Sequence, residues 1–440
     1  MENIQGLKLA LGWNKWNMNI IGLWPDPYAK KSHRDTCKTL LALSVPILFA
    51  TVPQNANLFF IWGDMELVTE NLSIVNIPCI NVMLKLLFSW YHRDTFGYII
   101  KIFYDDWLAP KTKEEKEAMI NNAMPGRFIS IWSSILTLTM ETVYVSLRSF
   151  IIITCDKNEE RADHLTIFPG YFPYDIRRTS FCIFTNLGQA ITGYIAAITY
   201  TSIDSFIGML VIHICGQFEI LKMKLERLMG DEDCGRDAKQ IQKELAWIVK
   251  RHEDLSHSAA KIEECFNMLL LMQMLLCTIE ICFQGFILFN VVLKDVSGLL
   301  SGQMLFFMLS VPFILVHIYI YCYIGEKLLV QNREMSNSAY KSNWFNVAPS
   351  ESKCLLFIMQ RSHRPLCLTA GKFSTFSIEL FSTVNIISIY LTFLINVISI
   401  ASYFFVSDFK NINGLSIGSA DSGEQRLNHF DRIKKMIDNI

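Results

Sequence analysis

Long apolar blocks alternate with polar stretches along almost the whole chain. A helix of about 20 apolar residues is long enough to cross a bilayer, and seven blocks reach that length. The predicted spans are 37–62, 67–90, 128–153, 180–213, 266–293, 303–324 and 373–406. The pattern therefore predicts an all-α membrane protein with seven transmembrane helices.

A break precedes the seventh predicted span. A half-apolar helical segment, 354–360, runs into a basic stretch that leads to Pro365, and Gly371 follows shortly afterwards. Proline removes a backbone donor and disfavours helix in the residue before it. We therefore expect the last helix to be split around Pro365 and Gly371, with the spanning part beginning near Phe373. Small or polar residues recur along that part, which is typical of a helix that packs on other helices or lines a wet path. They are Ser374, Ser377, Ser382, Thr383, Asn385, Ser388, Thr392 and Asn396.

The polar stretches divide the chain between and around the spans. Tryptophans mixed with basic residues over 1–36 favour a segment at the lipid headgroups. Residues 37–324 would contain spans one to six, with a polar loop and one charged helical run at 91–127. The remaining predicted segments are a long cytosolic helical loop at 215–265, a cytosolic segment at 325–372 and a polar tail at 407–440.

Lys and Arg are distributed unequally between the two sides of the predicted bundle. The amino-terminal segment and the loops after spans two, four and six carry five, six, nine and seven of them. The loops after spans one, three and five carry zero, four and one. Because basic residues accumulate on the cytosolic side, the amino terminus is expected in the cytosol and the carboxy terminus outside. This orientation is opposite to that of a G-protein-coupled receptor.

Composition agrees with a membrane protein and excludes several functions. The chain is 51% hydrophobic and 18% charged, whereas a soluble protein carries about 25% charged residues. The net charge of −1 gives no indication of a nucleic-acid partner. The twelve cysteines lie mostly inside apolar blocks, without a CxxC pair or metal-ligand spacing. No catalytic motif is found, so we expect no cofactor, no metal and no enzymatic activity.

Ionisable residues inside the apolar blocks are candidates for function, because they are costly in lipid. They are Lys85, Glu141, Asp204, His213, Glu280 and His317. Simple pairing with a neighbour is the alternative for each of them. Glu141 is the strongest candidate because Thr137, Met140 and Tyr144 share its helix face, as the wall of a pocket for a small amphiphile requires. Separately, Asn71 begins the N-x-S/T triplet of the chain and is a candidate glycosylation site close to the membrane.

Several motifs towards the carboxy end are distinctive. They are CYIGEKL at 322–328, Ala339-Tyr340 followed by Trp344, and LLFIMQRSHRPLCLTAGKFSTFS at 355–377. With these motifs the chain resembles the insect odorant receptors, and upstream positions resemble them too, namely Gln217, Phe218, Leu221, Leu225, His252, Ile262, Glu263, Phe266 and the PYD before span four. The resemblance covers 1–394. The loop at 215–261 is too short for the shared co-receptor, so the chain resembles a ligand-tuning subunit.

The resemblance implies a non-selective cation channel that a small volatile ligand opens. The particle would be a heteromeric tetramer with the odorant co-receptor, in the plasma membrane of a sensory-neuron dendrite. Span seven would line the pore, with the gate near Phe393, Asn396 and Val397; the tail at 407–440 extends beyond the usual end of the family. The odorant pocket would lie in the outer half of spans two to six. Positions chosen there by depth and residue type are Met83, Thr137, Met140, Glu141, Tyr144, Tyr194, Ile195, Phe306, Phe307 and Ser310.

Two other functions fit a bundle of this kind. One is a seven-helix receptor that signals through a soluble transducer, and the predicted orientation argues against it. The other is a membrane transporter, which usually shows an inverted repeat and midplane ion sites. Neither a repeat nor an evenly spaced charged relay is visible in the sequence.

Overall fold

The computed structural model describes residues 2–28, 32–154, 165–230, 238–294, 302–342, 344, 349–392 and 395. Residues Met1–Ile389 form one compact unit; of a second, Tyr390–Ile440, only 390–392 and 395 are described. Within the described ranges six helical stretches are long and apolar enough to cross a membrane, and a seventh is shorter. They are His33–Ile61, Met65–Tyr91, Lys113–Thr154, Thr179–Leu228, Lys239–Asn290, Leu309–Lys341 and the shorter Ile378–Thr392. The predicted all-α membrane fold is confirmed.

The described helices are α1 (Glu2–Ile20), α2 (His33–Pro46), α3 (Val52–Ile61), α4 (Met65–Asn71), α5 (Ile77–Tyr91), α6 (Arg93–Leu108), α7 (Lys113–Thr154), α8 (Thr179–Gly230), α9 (Ala238–Lys294), α10 (Gly302–Lys341), α11 (Pro349–Ser362) and α12 (Ile378–Thr392). A π-helical turn, Ile47–Thr51, joins α2 to α3, and another, Leu72–Asn76, joins α4 to α5. Pro46 precedes the first turn and Pro78 follows the second. Proline lacks the amide donor that a regular α-helix needs, so the backbone departs from α-geometry beside both prolines.

Helix α8 lies at the centre of the bundle. It contacts α1, α2, α5, α7, α9 and α10. Of its most apolar stretch 83% is buried, whereas the value for α7 is 6%. Small residues allow this central packing: a Cβ at Gly188 would lie 2.3 Å from the Phe49 ring. Helix α8 therefore forms the core, and α7 offers much of its surface to lipid.

The amino-terminal helix packs into the bundle. Trp13 Nε1 and Asn17 Nδ2 of α1 both donate to the Ser134 hydroxyl of α7, at 3.1 and 3.0 Å. Trp24 is buried, whereas Trp16 is 56% exposed. Helix α1 and Trp24 thus pack into the bundle, whereas Trp16 of α1 is exposed and can reach the headgroups.

Helix α6 lies within the stretch 91–127, for which we predicted a polar loop, and that part of the prediction is wrong. Asp94, Lys101 and Asp105 are exposed, while one side of the helix is buried against the bundle. The buried residues recur at helical spacing and are Phe96, Ile99, Ile100, Phe103 and Trp107. Burial of this apolar side stabilises the helix.

Within the predicted helical loop at 215–265, the described residues 215–230 and 238–265 form the ends of α8 and α9. These helices extend well beyond the spans predicted at 180–213 and 266–293. Apolar residues at helical spacing are buried there, and α10 and α11 also contact these helices. They are Phe218, Leu221, Leu225 and Leu228 of α8 and Leu245, Ile248, Leu255 and Ile262 of α9. The two helices therefore build a second, membrane-distal part of the same core.

A β-hairpin separates α11 from α12. Thr369 pairs with Thr375 and Ala370 with Ser374 in antiparallel register. Between the strands Gly371 and Lys372 have φ angles of 58° and 64°, as a type I′ turn requires at both central positions.

The hairpin is attached to α9 and sets the start of the last helix. The Gly371 amide donates to the Asn267 carbonyl of α9 at 2.9 Å, and the Phe376 amide donates to the Leu368 carbonyl at 2.9 Å. The predicted split of the last helix is confirmed. The helix that follows the break begins at Ile378, not near Phe373, because residues up to Phe376 still pair within the hairpin.

Candidate ligand-binding cavity

A cavity of about 120 Å³ lies among α5, α7, α8, α9 and α10. Its walls are mostly apolar. The lining residues are Ile74, Val75, Pro78, Cys79 and Val82; Thr137, Met140, Glu141 and Tyr144; Phe168; Thr192, Gly193, Ala196, Ala197 and Tyr200; Glu280; Ser310, Phe313 and Ile314. An apolar cavity of about 150 Å³ can hold benzene, so this one is suited to a small organic molecule.

The structure brings half of the predicted pocket residues together. Those that line the cavity are Thr137, Met140, Glu141, Tyr144 and Ser310. The first four lie on one face of α7, as their spacing predicted. Ligand binding by these residues stays a prediction.

Three other predicted pocket residues have different surroundings. Met83 Sδ accepts a hydrogen bond from the Thr51 hydroxyl at 3.6 Å. Tyr194 pairs with the Thr142 hydroxyl at 3.1 Å in an exposed position, and Ile195 packs against the main core. None of the three is a lining residue of this cavity. Their depth in the membrane was suitable, but their helix faces point elsewhere.

The remaining predicted site residues cannot be placed on any wall. The side chains of Phe306 and Phe307 lie outside the described part of α10, and Phe393, Asn396 and Val397 lie outside the described residues. The predicted gate therefore stays a prediction.

A loop segment missed in the sequence covers one end of the cavity. The Phe168 ring stacks on Tyr144 with centroids 5.8 Å apart and an interplanar angle of 14°. The Phe168 amide donates to Gln189 Oε1 at 3.0 Å, and Gln189 Nε2 returns a bond to the Phe168 carbonyl at 2.8 Å. Arg148 Nη2 also holds the Thr166 carbonyl at 2.7 Å. Side chains of α7 and α8 thus fix this loop over the cavity.

Glu141 sits in a notch made by a glycine. A Cβ at Gly193 would lie only 1.8 Å from Glu141 Oε1, so only glycine leaves room for the carboxyl at this point of α8. Glu141 Oε1 is buried and has no hydrogen-bond partner among the described residues. A buried acceptor without a donor is costly, and here it stands in the wall of a cavity.

A buried polar network forms the floor below Tyr200. Lys85 is fully buried, makes an ion pair with Asp204, and places Nζ 3.5 Å from the centroid of the Tyr200 ring. Gln273 Nε2 donates to Asp204 Oδ2 and to the Tyr200 hydroxyl, each at 3.2 Å. The Tyr321 hydroxyl donates to Gln273 Oε1 at 3.2 Å. Lys85 and Asp204 are therefore paired, and removing either partner would leave a buried charge at a cost of about 3–5 kcal/mol.

The other ionisable residues singled out in the sequence also have partners. Glu280 Oε1 accepts from Gln284 Nε2 at 3.4 Å, and His317 Nδ1 contacts the Phe313 carbonyl at 2.9 Å. His213 Nε2 lies 3.1 Å from Asp106.

Asp106, on α6, also receives a bond from Arg251 Nη2 at 2.5 Å. Burial alone would raise the pKa of the Asp106 carboxyl. The hydrogen bonds and charges of His213 and Arg251 outweigh burial and hold that pKa below its ordinary value.

Asn71 does not have the exposure that glycosylation needs. Only 4% of its surface is exposed, and its Oδ1 accepts from Asn76 Nδ2 at 2.8 Å across the π turn. This burial argues against a sugar at Asn71 and indicates a structural role for the side chain.

Comparisons with known proteins agree with the fold. A family model described as 7tm Odorant receptor matches residues 64–388. Among individual proteins of Drosophila melanogaster, Odorant receptor 9a is 25% identical over 55% of this chain and 59% of its own length. Odorant receptor 13a is 24% identical over 76% of this chain and 80% of its own length. The alignment with the first thus spans less than two thirds of that relative.

Among solved structures, the insect olfactory receptor OR5 from Machilis hrabei, in complex with eugenol, is similar with a TM-score of 0.75. The sequence identity is 14%, and the match covers 90% of this chain and 99% of that one. At this identity the likeness concerns the fold alone.

Proposed function

Because the chain belongs to the 7tm odorant receptor family, whose members are receptors and not enzymes, we propose that it is a ligand-tuning subunit of an odour-gated cation channel. In this proposal a small volatile compound binds in the cavity among α5, α7, α8, α9 and α10. Binding opens a non-selective cation pore that the chain forms together with the odorant co-receptor, in a heteromeric tetramer. We propose that this particle works in the plasma membrane of a sensory-neuron dendrite.

The cavity is the observation that carries the proposal. Ligand pockets for small molecules are concave, mostly apolar and furnished with a few polar groups, and this cavity has all three properties. Burying roughly 150 Å² of apolar ligand surface contributes about 4 kcal/mol at ~25 cal/mol per Å². Only the part of that free energy that favours the open state shifts the equilibrium towards it.

A contact path leads from the cavity to the base of α12. Tyr200 lines the cavity and shares Gln273 with Tyr321, as described above. The Tyr321 ring packs on Phe376 with centroids 5.8 Å apart. Gly325 lets this segment come close, since a Cβ there would lie 2.4 Å from the Phe376 carbonyl oxygen. We propose that a ligand against Tyr200 displaces this path and thereby moves α12.

The face of α12 that is left uncovered fits a pore helix shared among subunits. Val384 and Ser388 are buried against the rest of the chain, whereas Ile386 and Ile389 are 54% and 69% exposed. In the proposal the uncovered face meets neighbouring subunits, and the gate lies near Phe393, Asn396 and Val397. The Lys and Arg distribution supports a cytosolic amino terminus.

The decisive experiment expresses the chain with and without a co-receptor and records currents evoked by a panel of odorants. We expect odour-evoked current with the co-receptor, and a reversal potential that moves when Na⁺ is replaced by a large organic cation. Ala197→Phe, which fills the cavity, should abolish the response. Leu187→Phe, at a 59% exposed position of the same helix, should preserve it. The proposal would be refuted if neither variant lost the current, or if the wild-type chain with the co-receptor gave no current.

A further inference from the structure

The cavity wall has an unequal supply of hydrogen-bonding groups. Two carboxyls, those of Glu141 and Glu280, belong to the lining. Among the lining residues that the structure describes there is no Lys, Arg or His. Lys85, which lies against the lining residue Tyr200, is already paired with Asp204. The wall therefore offers acidic acceptors without a counter-cation of its own.

The hydroxyls of the described lining cannot satisfy Glu141, because each has a partner elsewhere. Thr137 and Thr192 donate to carbonyls of their own helices, at 2.7 and 2.9 Å. Ser310 donates to an amide oxygen at 2.7 Å, and Tyr144 to a loop carbonyl at 3.3 Å. Tyr200 accepts from an amide and contacts a thiol. Glu141 Oε1 is thus an acceptor that no described side chain supplies.

On these grounds we infer that the ligand is a small amphiphile whose head group donates hydrogen bonds, with a protonated primary amine as the best head. This inference rests on the proposed function and names the ligand class for the same cavity. The ammonium head would lie at Glu141, and the apolar body would lie among Val82, Phe313 and Ile314. A charge-assisted hydrogen bond is about twice as strong as a neutral one, so an amine is preferred over an alcohol of the same shape.

Three compounds of matched shape test the inference, namely benzylamine, benzyl alcohol and toluene. Each has a single ring, in keeping with a cavity of about 120 Å³. With the co-receptor present, we expect the half-maximal concentration to rise in the order benzylamine, benzyl alcohol, toluene. Glu141→Gln should weaken the response to benzylamine by at least about tenfold and leave that to toluene within roughly threefold.

The matched control is Glu264→Gln, which removes a carboxyl from an exposed position of α9 outside the cavity. It should leave all three responses unchanged. Surface labelling and the toluene response show whether Glu141→Gln folds and gates normally. If that variant is absent from the surface, Glu141→Asp replaces it; this variant keeps a carboxyl group and should keep the order of the three half-maximal concentrations.

Two outcomes would overturn the ligand class alone. One is a wild-type receptor that answers other odorants but prefers toluene or ignores amines. The other is Glu141→Gln weakening all three responses equally. A wild-type pair that gives no current with any odorant instead refutes the proposed function itself.

Discussion

Gly193→Ala is the sharpest test of the cavity geometry. The new Cβ would lie 1.8 Å from Glu141 Oε1 and 2.6 Å from its Cδ. Because carbon–oxygen contacts need about 3.3 Å, the carboxyl must retreat by roughly 1.5 Å. The clash involves the end of a flexible side chain, so we expect the variant to fold and to reach the membrane.

The displaced carboxyl takes space from the ligand. The cavity measures only about 120 Å³, so a carboxyl group pushed towards it takes up a substantial part of the space. Overpacking of this kind costs about 1–3 kcal/mol, which corresponds to a ~5- to 150-fold loss of affinity. We expect the half-maximal concentration of the larger agonists to rise within this range, and that of the smallest agonists to rise less.

Dose–response curves with the co-receptor, normalised to surface expression, measure the effect. Gly208→Ala is the matched control, because a Cβ at Gly208 meets no atom within 4 Å and both exchanges replace glycine by alanine in α8. If Gly193→Ala left every agonist unchanged, or if Gly208→Ala were equally damaging, the placement of Glu141 against α8 would be wrong.

Three further predictions follow from other parts of the fold. Tyr321→Phe should lower the maximal odour-evoked current while ligand competition stays unchanged, because it leaves Gln273 Oε1 without its donor; equal losses in both would contradict the path to α12. Asp106→Asn should lower the melting midpoint of purified protein by a few degrees, since it removes a bond worth about 1–3 kcal/mol. The pKa of Asp106 is lowered, so its contribution to stability is complete above the ordinary carboxyl pKa and is lost as pH falls through the lowered pKa. The difference in melting midpoint between variant and wild type should therefore persist from pH 7 to 5 and shrink only in stronger acid. A difference already lost at pH 5 would contradict the assignment. Gly371→Ala should reduce stability by about 1–2 kcal/mol because of its positive φ, measured as surface expression, whereas Gly97→Ala, with open space around it, should be neutral.

The sequence was sufficient where a pattern is local. Continuous apolar runs identified the spans, and helical spacing placed Thr137, Met140, Glu141 and Tyr144 on one wall. The split before the last span followed from Pro365 and Gly371. In each of these, residues close in the chain determine the outcome.

The rest depended on long-range packing. Met83, Tyr194 and Ile195 were chosen by membrane depth, which leaves the rotation of a helix about its axis undetermined. Phe168 reaches the cavity from a loop that is held by hydrogen bonds from Arg148 and Gln189, residues distant from it in the sequence. Helix α6 was missed because its charged residues obscured the apolar spacing from Phe96 onwards, and Lys372 adopts a left-handed conformation that its residue type does not predict.

The wide turn Leu72–Asn76 holds one residue more than an ordinary helical turn. A residue inserted in a helix advances the facing direction by about 100°. Ile74 and Val75 belong to this turn and line the cavity. Helix α5 follows the turn and carries Lys85 with its ion pair to Asp204. Deleting a single residue from this turn would rotate α4 about its axis relative to α5, while the contacts of α5 with the bundle would stay as they are. The turn therefore sets the rotation of α4 relative to α5, and α5 both lines the cavity, through Pro78, Cys79 and Val82, and anchors the bundle through Lys85.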